Sequence, residues 1–310
     1  MHFCKVSPLL RVRKARRTNW GLPARLTALL LLAPFSLPGE PPIEAISLPA
    51  LRIDGLPARA HTQGMEWVDR HLFVTARRED VSPRRALLLR TDLGAAFWDV
   101  WDLTPLDAQG NPTAMDHPGG MQSDGARLWI PVAESKRKGR TLIRAYRIAD
   151  LAPGQPPKPE REIPVHDHVG ALAISSRENL MLGASWDTER VYVWDLEGKL
   201  RQTLAGADLT NRLLGKDPAT PNGTGLAVQD WKWMEGQLFA SGVAGKATKH
   251  SRLLVYMDFL QPTFRQRSVP LPEVAGVELA QEAMTMANGS LWFLPENLGA
   301  TNRMFKTRLE

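Results

Sequence analysis

Five residues able to move protons recur at near-even intervals along this chain: His61, His117, His168, Asp230 and Glu282. Each stands at or just ahead of a short apolar run. Imidazoles and carboxylates suit proton transfer near neutrality, because histidine titrates there and a neighbouring carboxylate can orient it. Three imidazoles with a carboxylate also form a donor set for zinc, iron or manganese. The candidate catalytic residues are therefore His61, His117, His168, Glu282 and Asp230. The candidate metal ligands are His61, His117, His168 and Glu282. Gln63, Gln229 and Gln281 lie beside them in sequence and are candidate ligand-binding residues. The chain holds no H-E-x-x-H motif, phosphate loop, dinucleotide fingerprint or nucleophile elbow, so the site depends on the fold bringing distant residues together. A third reading needs no ligand: the same side chains would bond channel waters and neighbouring backbone.

The segments that carry these residues are versions of one pattern, a polar start, a small hydrophobic stretch, a turn and an apolar strand. They read HTQGMEWVDRHLFVTA, HPGGMQSDGARLWIPVA, HVGALAISSRENLMLGAS, VQDWKWMEGQLFASG and QEAMTMANGSLWFLPE. The leucines after the turn (Leu72, Leu128, Leu180, Leu238, Leu291) are 56, 52, 58 and 53 residues apart. A period in this range marks a propeller or another repeat array. Asp124-Gly125, Glu235-Gly236 and Asn288-Gly289 stand where tight hairpins want glycine. The runs are short, β-branched and aromatic, and outside the first 40 residues none has a helical period. The expected fold is all-β, a single five-bladed β-propeller. The fifth repeat ends one strand short, so residues 43–52 are expected to complete the last blade against residues 303–310. In that fold the first strand of each blade lines the axis. His61, Gln63, His117, His166, His168, Gln229, Asp230, Gln281 and Glu282 should then gather at one mouth. Trp67, Trp129, Trp194 and Trp292 should pack between blades, and one of Trp98 and Trp101 should be exposed.

Loops between the second and third strands share that mouth. Over residues 77–85, 134–140, 187–190, 246–252 and 296–303 they hold 13 Lys or Arg and 6 Asp or Glu. Such an excess would attract a small anionic molecule, with Arg78, Arg137, Arg190, Lys249 and Arg303 as the clamp. Two classes of function stay open. One is a metal-assisted or His/Glu acid–base hydrolase, lyase or isomerase. The other is a non-catalytic scaffold binding a protein or glycan.

Residues 1–40 read as a secretory signal peptide, with a basic start followed by the apolar run Leu26–Leu37, too short to span a bilayer. They hold seven of the 39 basic residues and one of the 33 acids, so residues 41–310 carry 32 of each. The formal charge of +6 therefore belongs to the leader, and no nucleic-acid partner is expected. The single cysteine, Cys4, also lies there, which leaves the remaining domain without a disulfide or thiolate. A secreted or periplasmic monomer with no transmembrane segment is expected.

The whole pattern resembles the five-bladed β-propeller superfamily, including secreted bacterial propellers without assigned function. The segment HTQGMEW at 61–67 is similar to the TQG-L-E opening of plant-type glutaminyl cyclotransferases, which are also propellers. The Gly119-Gly120-Met121 stretch departs from that family's acidic Gly-Glu-Gly.

Overall fold

The computed structural model describes residues 42–205, 226–244, 250–261 and 265–308. The leader expected at 1–40, most of the 206–227 connection and Lys249 lie outside the described residues.

Five antiparallel sheets follow one another along the chain. The first blade runs Ala60–Val68, His71–Arg78, Arg85–Asp92 and Asp99–Asp102. In the second, the innermost strand is broken into His117–Pro118 and Gln122–Ser123, followed by Arg127–Ala133, Thr141–Arg147 and Arg161–Val165. The third is Val169–Ser175, Leu180–Ser185, Arg190–Trp194 and Leu200–Ala205. The fourth is Leu226–Met234, Gln237–Ala244, His250–Met257 and Arg265–Pro270. The fifth takes Ala283–Ala287, Ser290–Leu294 and Asn302–Arg308, then Glu44–Leu48 from the other end of the chain. Glu44 pairs with Lys306 and Leu48 with Asn302. This is the expected closure, and it leaves no open seam between the two ends.

Successive strand residues point to opposite faces, so each blade buries two different apolar stripes. Leu72, Val74 and Ala76 pack with Trp292, Leu294 and Met304 of the fifth blade, whereas Phe73 and Leu88 pack with Leu128, Ile130 and Val132 of the second. The remaining clusters join the second and third blades, the third and fourth, and the fourth and fifth. Five interfaces thus hold five apolar clusters. Trp129, Trp194 and Trp292 lie in them, and Trp67 meets Trp292 edge-on at 5.4 Å. Trp98 and Trp101 are both buried, against expectation. Their ring N–H groups reach the carbonyls of Pro49 and Ala152, which draws adjoining loops over the outer strand.

The hairpin reading holds at the backbone. Glu235 and Gly236, and Asn288 and Gly289, each take consecutive positive φ, the conformation that tight two-residue hairpins need. Glycine near the axis has another cause. A Cβ on Gly120 would stand 2.5 Å from Asp230 Oδ1, and one on Gly119 2.3 Å from the Gly170 carbonyl oxygen. Gly120 N–H donates to Gly170 O at 2.8 Å, and Leu172 N–H to Gly120 O at 3.0 Å. Inner strands of neighbouring blades are therefore in direct backbone contact.

Candidate active site at the channel mouth

Three inner strands carry a register shift at matching places, around Gln63, Gly170 and Gln229. A bulge inserts one residue and re-aims its side chain. All three bulge residues line a pocket of about 260 Å³ at the mouth, with His61, His117, His168, Ser185, Trp186, Asp187, Val228 and Glu282. The fold thus brings together His61, Gln63, His117, His168, Gln229 and Glu282, as their repeat positions required.

His61 and His168 each have one ring nitrogen hydrogen-bonded, and His117 has both. His61 Nδ1 contacts Asn297 Oδ1 at 2.6 Å and acts as the donor. His168 Nδ1 donates to the Glu134 carbonyl at 2.8 Å. His117 Nε2 bonds Gln63 Oε1 at 2.8 Å, and its Nδ1 lies 3.3 Å from Arg77 Nη1. His117 and His168 stand edge to face at 5.0 Å, and Trp186 packs against His168 at 4.7 Å. Among the described residues no group of three or more His, Cys, Asp or Glu is placed to hold a metal ion. As arranged, His61, His117, His168 and Glu282 line one wall of the pocket, with the three imidazoles hydrogen-bonded to neighbouring residues.

Glu282 differs from the rest. It is buried, its carboxyl accepts no hydrogen bond from any described residue, and its Oε1 lies 3.8 Å from His61 Nε2. Burial pushes its pKa up to about 8, with Arg77 pulling weakly the other way, so the carboxyl is largely protonated at neutral pH. Burial holds His168 below the ordinary imidazole value. It holds His117 well below that value, helped by the neighbouring His168 and Arg77. The pocket therefore contains a carboxylic acid beside the neutral imidazoles of His117 and His168.

Several expected site residues lie elsewhere. Asp230 is fully buried below the mouth, because the bulge at Gln229 turns it toward the axis. There its Oδ2 accepts the Met65 and Met284 N–H groups at 3.3 and 3.1 Å. Asp230 thus lies in the wall of the channel, outside the described lining of the mouth pocket. Gln281 is exposed and outside the pocket lining, as is His166. Arg78 lies in an outer groove with Arg52, Arg85 and Phe97, and pairs with Asp80 at 3.0 Å. Arg190 pairs with Asp167 at 3.1 Å and Arg303 with Glu296 at 2.8 Å. Arg137 sits at the rim over Trp186, held by Asp187 and Glu189 at 2.5 Å each. The four described arginines of the expected anion clamp are thus paired with carboxylates, and no Lys or Arg is among the described residues that line the pocket.

Sequence reasoning missed Arg77, Trp186, Ser185 and Asn297. Strand parity would have found Arg77. It shares a face with Phe73 and with Thr75, whose hydroxyl donates to the Gly119 carbonyl of the second blade. Trp186 is held over the pocket by a turn in which Asp187 and Thr188 both have positive φ, a feature no residue type announces.

Residues 60–215, half of the chain, match the model of a family described as a family of unknown function, DUF6454. The chain belongs to that family. No curated protein matches it. Among solved structures, this DUF6454 member is similar to the GH43 endo-arabinanase from Bacillus licheniformis, at 12% identity and a TM-score of 0.51, over 84% of this chain and 96% of that one. It is also similar to the GH43_1 enzyme from Xanthomonas citri complexed with xylotriose, at 12% identity and a TM-score of 0.50, over 85% and 90%. A third is a GH43 β-xylosidase/α-arabinofuranosidase from a compost metagenome, at 11% identity and 0.51, over 81% and 91%. At such identities the likeness establishes the propeller fold alone. The short resemblance of residues 61–67 to glutaminyl cyclotransferases is not confirmed by these relatives. No helix among the described residues is long and apolar enough to cross a membrane.

Proposed function

We propose that this chain is a hydrolase acting at the channel mouth on a small, neutral, hydroxyl-bearing molecule. The observation that carries this reading is the 3.8 Å gap between Glu282 Oε1 and His61 Nε2, in a pocket with no Lys or Arg among the described residues that line it. With the His61 Nδ1 proton given to Asn297, its Nε2 is an acceptor, while the protonated Glu282 is a donor. An oxygen about 2.8 Å from both atoms accepts one hydrogen bond and donates the other, which is what a hydroxyl does. Gln63 and Gln229 add amide groups, and Trp186 supplies an apolar wall. The described residues that line the pocket include Asp187, paired with Arg137, and no Lys or Arg, so none of them offers a free cation to a carboxylate ligand. The neutral substrate therefore replaces the anionic one suggested by the loop charges.

Glu282 and His168 have environments that push their pKa values in opposite senses, a pattern that separates acid from base. In the proposed reaction His168 Nε2 takes a proton from water, the water oxygen bonds to the carbon being cleaved, and Glu282 protonates the departing oxygen. The xylotriose-bound relative of the same fold handles a saccharide, which suits a hydroxyl-rich substrate. Residues 1–40 would direct export and be removed, leaving residues 41–310 as the working domain. Secreted protein that retains Met1 would contradict that part.

The reading is tested by titrating the protein with neutral monosaccharides and oligosaccharides and with the corresponding uronic acids, following the ring signals of His61, His168 and Trp186. Binding of neutral sugars that moves those signals supports the proposal. Binding confined to the uronic acids would restore the anionic ligand and overturn it. Binding without turnover of any ester or glycoside would leave a non-catalytic scaffold.

A further inference from the structure

Arg77 is not in the pocket, yet its position decides what one wall of the pocket offers. Its Nη1 lies 3.3 Å from His117 Nδ1 and 3.1 Å from Ser135 Oγ, and its Nη2 2.6 Å from Glu79 Oε1. A guanidinium donates hydrogen bonds and never accepts them. His117 Nδ1 must then be the acceptor, so a neutral His117 carries its proton on Nε2. Ser135 Oγ also stands 3.3 Å from His117 Nδ1, but its hydroxyl proton goes to Asp116 Oδ1 at 2.7 Å. That leaves the serine as an acceptor for Arg77.

The consequence passes to the next residue. His117 Nε2 stands 2.8 Å from the Gln63 amide. Because that nitrogen is a donor, the amide must present its oxygen there. The Gln63 NH2 is left facing away from His117, with no partner among the described residues, in a side chain that lines the pocket. The orientation follows from the chain of donors and does not depend on telling amide N from O by shape.

We propose that Arg77 is a positioning residue that fixes the His117 proton on Nε2 and thereby holds the Gln63 NH2 as a hydrogen-bond donor into the mouth pocket. Gln63 then selects ligand atoms that accept, such as an ether, carbonyl or hydroxyl oxygen. The selective role rests on the mouth being a ligand site, whereas the proton placement does not. A substrate group that only donates would leave the amide unsatisfied, the kind of mismatch by which binding sites discriminate strongly.

The test is a long-range proton–nitrogen spectrum of histidine-labelled protein near pH 8, with no ligand added. In the wild type, the His117 signals are expected to show the proton on Nε2, with well-separated ring nitrogens. In an Arg77→Met, Ser135→Ala double variant, where no hydroxyl can substitute as donor, that separation should shrink as both tautomers become populated. Arg77→Lys, which keeps a donor, should restore part of it. A wild-type proton on Nδ1 overturns the proposal without any variant, so a variant that fails to fold does not remove the test. An unchanged Nε2–H tautomer in the folded double variant overturns it as well. Because no ligand takes part, these outcomes are separate from failure of the hydrolase reading.

Discussion

Lys232 and Asp230 form an ion pair in the channel with both side chains fully buried, Nζ lying 2.7 Å from Oδ1. The same ammonium donates to the Met121 carbonyl at 2.7 Å, while Asp230 accepts N–H groups from the first and fifth blades. Gln122 adds the third blade, its Oε1 accepting Ile174 N–H and Trp233 N–H at 2.8 Å each. Two side chains on the fourth blade's inner strand, with Gln122, therefore tie all five blades at the axis.

Removing one partner of such a pair strands the other charge in a low-dielectric interior. Asp230→Asn and Lys232→Met are each expected to destabilise the fold by about 3–5 kcal/mol. Urea unfolding monitored by tryptophan fluorescence measures this. A loss below about 1 kcal/mol in both variants would show that the pair is not a fastening.

Glu282 gives a stability effect of opposite sign. Its folded pKa is raised from 4.5 to about 8. Its favourable contribution is full below pH 4.5 and is lost as pH rises through 8. Glu282→Gln should leave the melting temperature nearly unchanged at pH 5 and raise it at pH 8.5. At about 1.4 kcal/mol per pKa unit, roughly 5 kcal/mol is the upper bound. Thermal scans of both proteins at the two pH values check this, and equal shifts at both would mean that Glu282 is not proton-loaded by folding.

Glu66 should behave similarly nearer neutrality. Burial raises it to about 7 against the pull of Lys232, and its Oε2 is buried without a hydrogen-bond partner among the described residues. Glu66→Gln is expected to stabilise the protein above pH 7 and to have little effect at pH 4.5. Destabilisation at pH 8 would show that the ionised form is the native one.

Elemental analysis of untagged protein tests a metal at these histidines: both ring nitrogens of His117 are bonded, to Arg77 and Gln63, so no stoichiometric zinc, iron or manganese is expected unless that ring turns. One equivalent of metal, lost on His117→Ala, would show that the rings turn toward a common ion.

The fold was legible because repetition states it five times: each hairpin turn and each period-two apolar stripe has a counterpart in the other blades. The missing fifth-blade strand also pointed to residues 43–52, of which Glu44–Leu48 form the strand. The site was legible where residue type and repeat position agreed, as at His61, His117, His168 and Glu282. It was not legible where a bulge intervened, since one inserted residue moves a side chain to the other face. The bulge at Gln229 sent Asp230 into the axis, and only parity along His71–Arg78 separates Arg77, behind the pocket, from Arg78 in an outer groove. Loop charge was only partly informative, because counting cations does not show that Glu296, Asp167 and Asp187 pair with Arg303, Arg190 and Arg137.

The measurement that bears most directly on the proposed chemistry is the pH dependence of turnover by wild type and Glu282→Gln, using a neutral aryl glycoside or ester that the titrations show to bind. Wild-type kcat/KM should rise on the acid side as His168, held below the ordinary imidazole value, loses its proton, then fall near pH 8 as Glu282 ionises. Glu282→Gln should still bind the substrate but lose at least about 100-fold in kcat. A folded Glu282→Gln variant that retains wild-type turnover and the same falling limb would contradict the account.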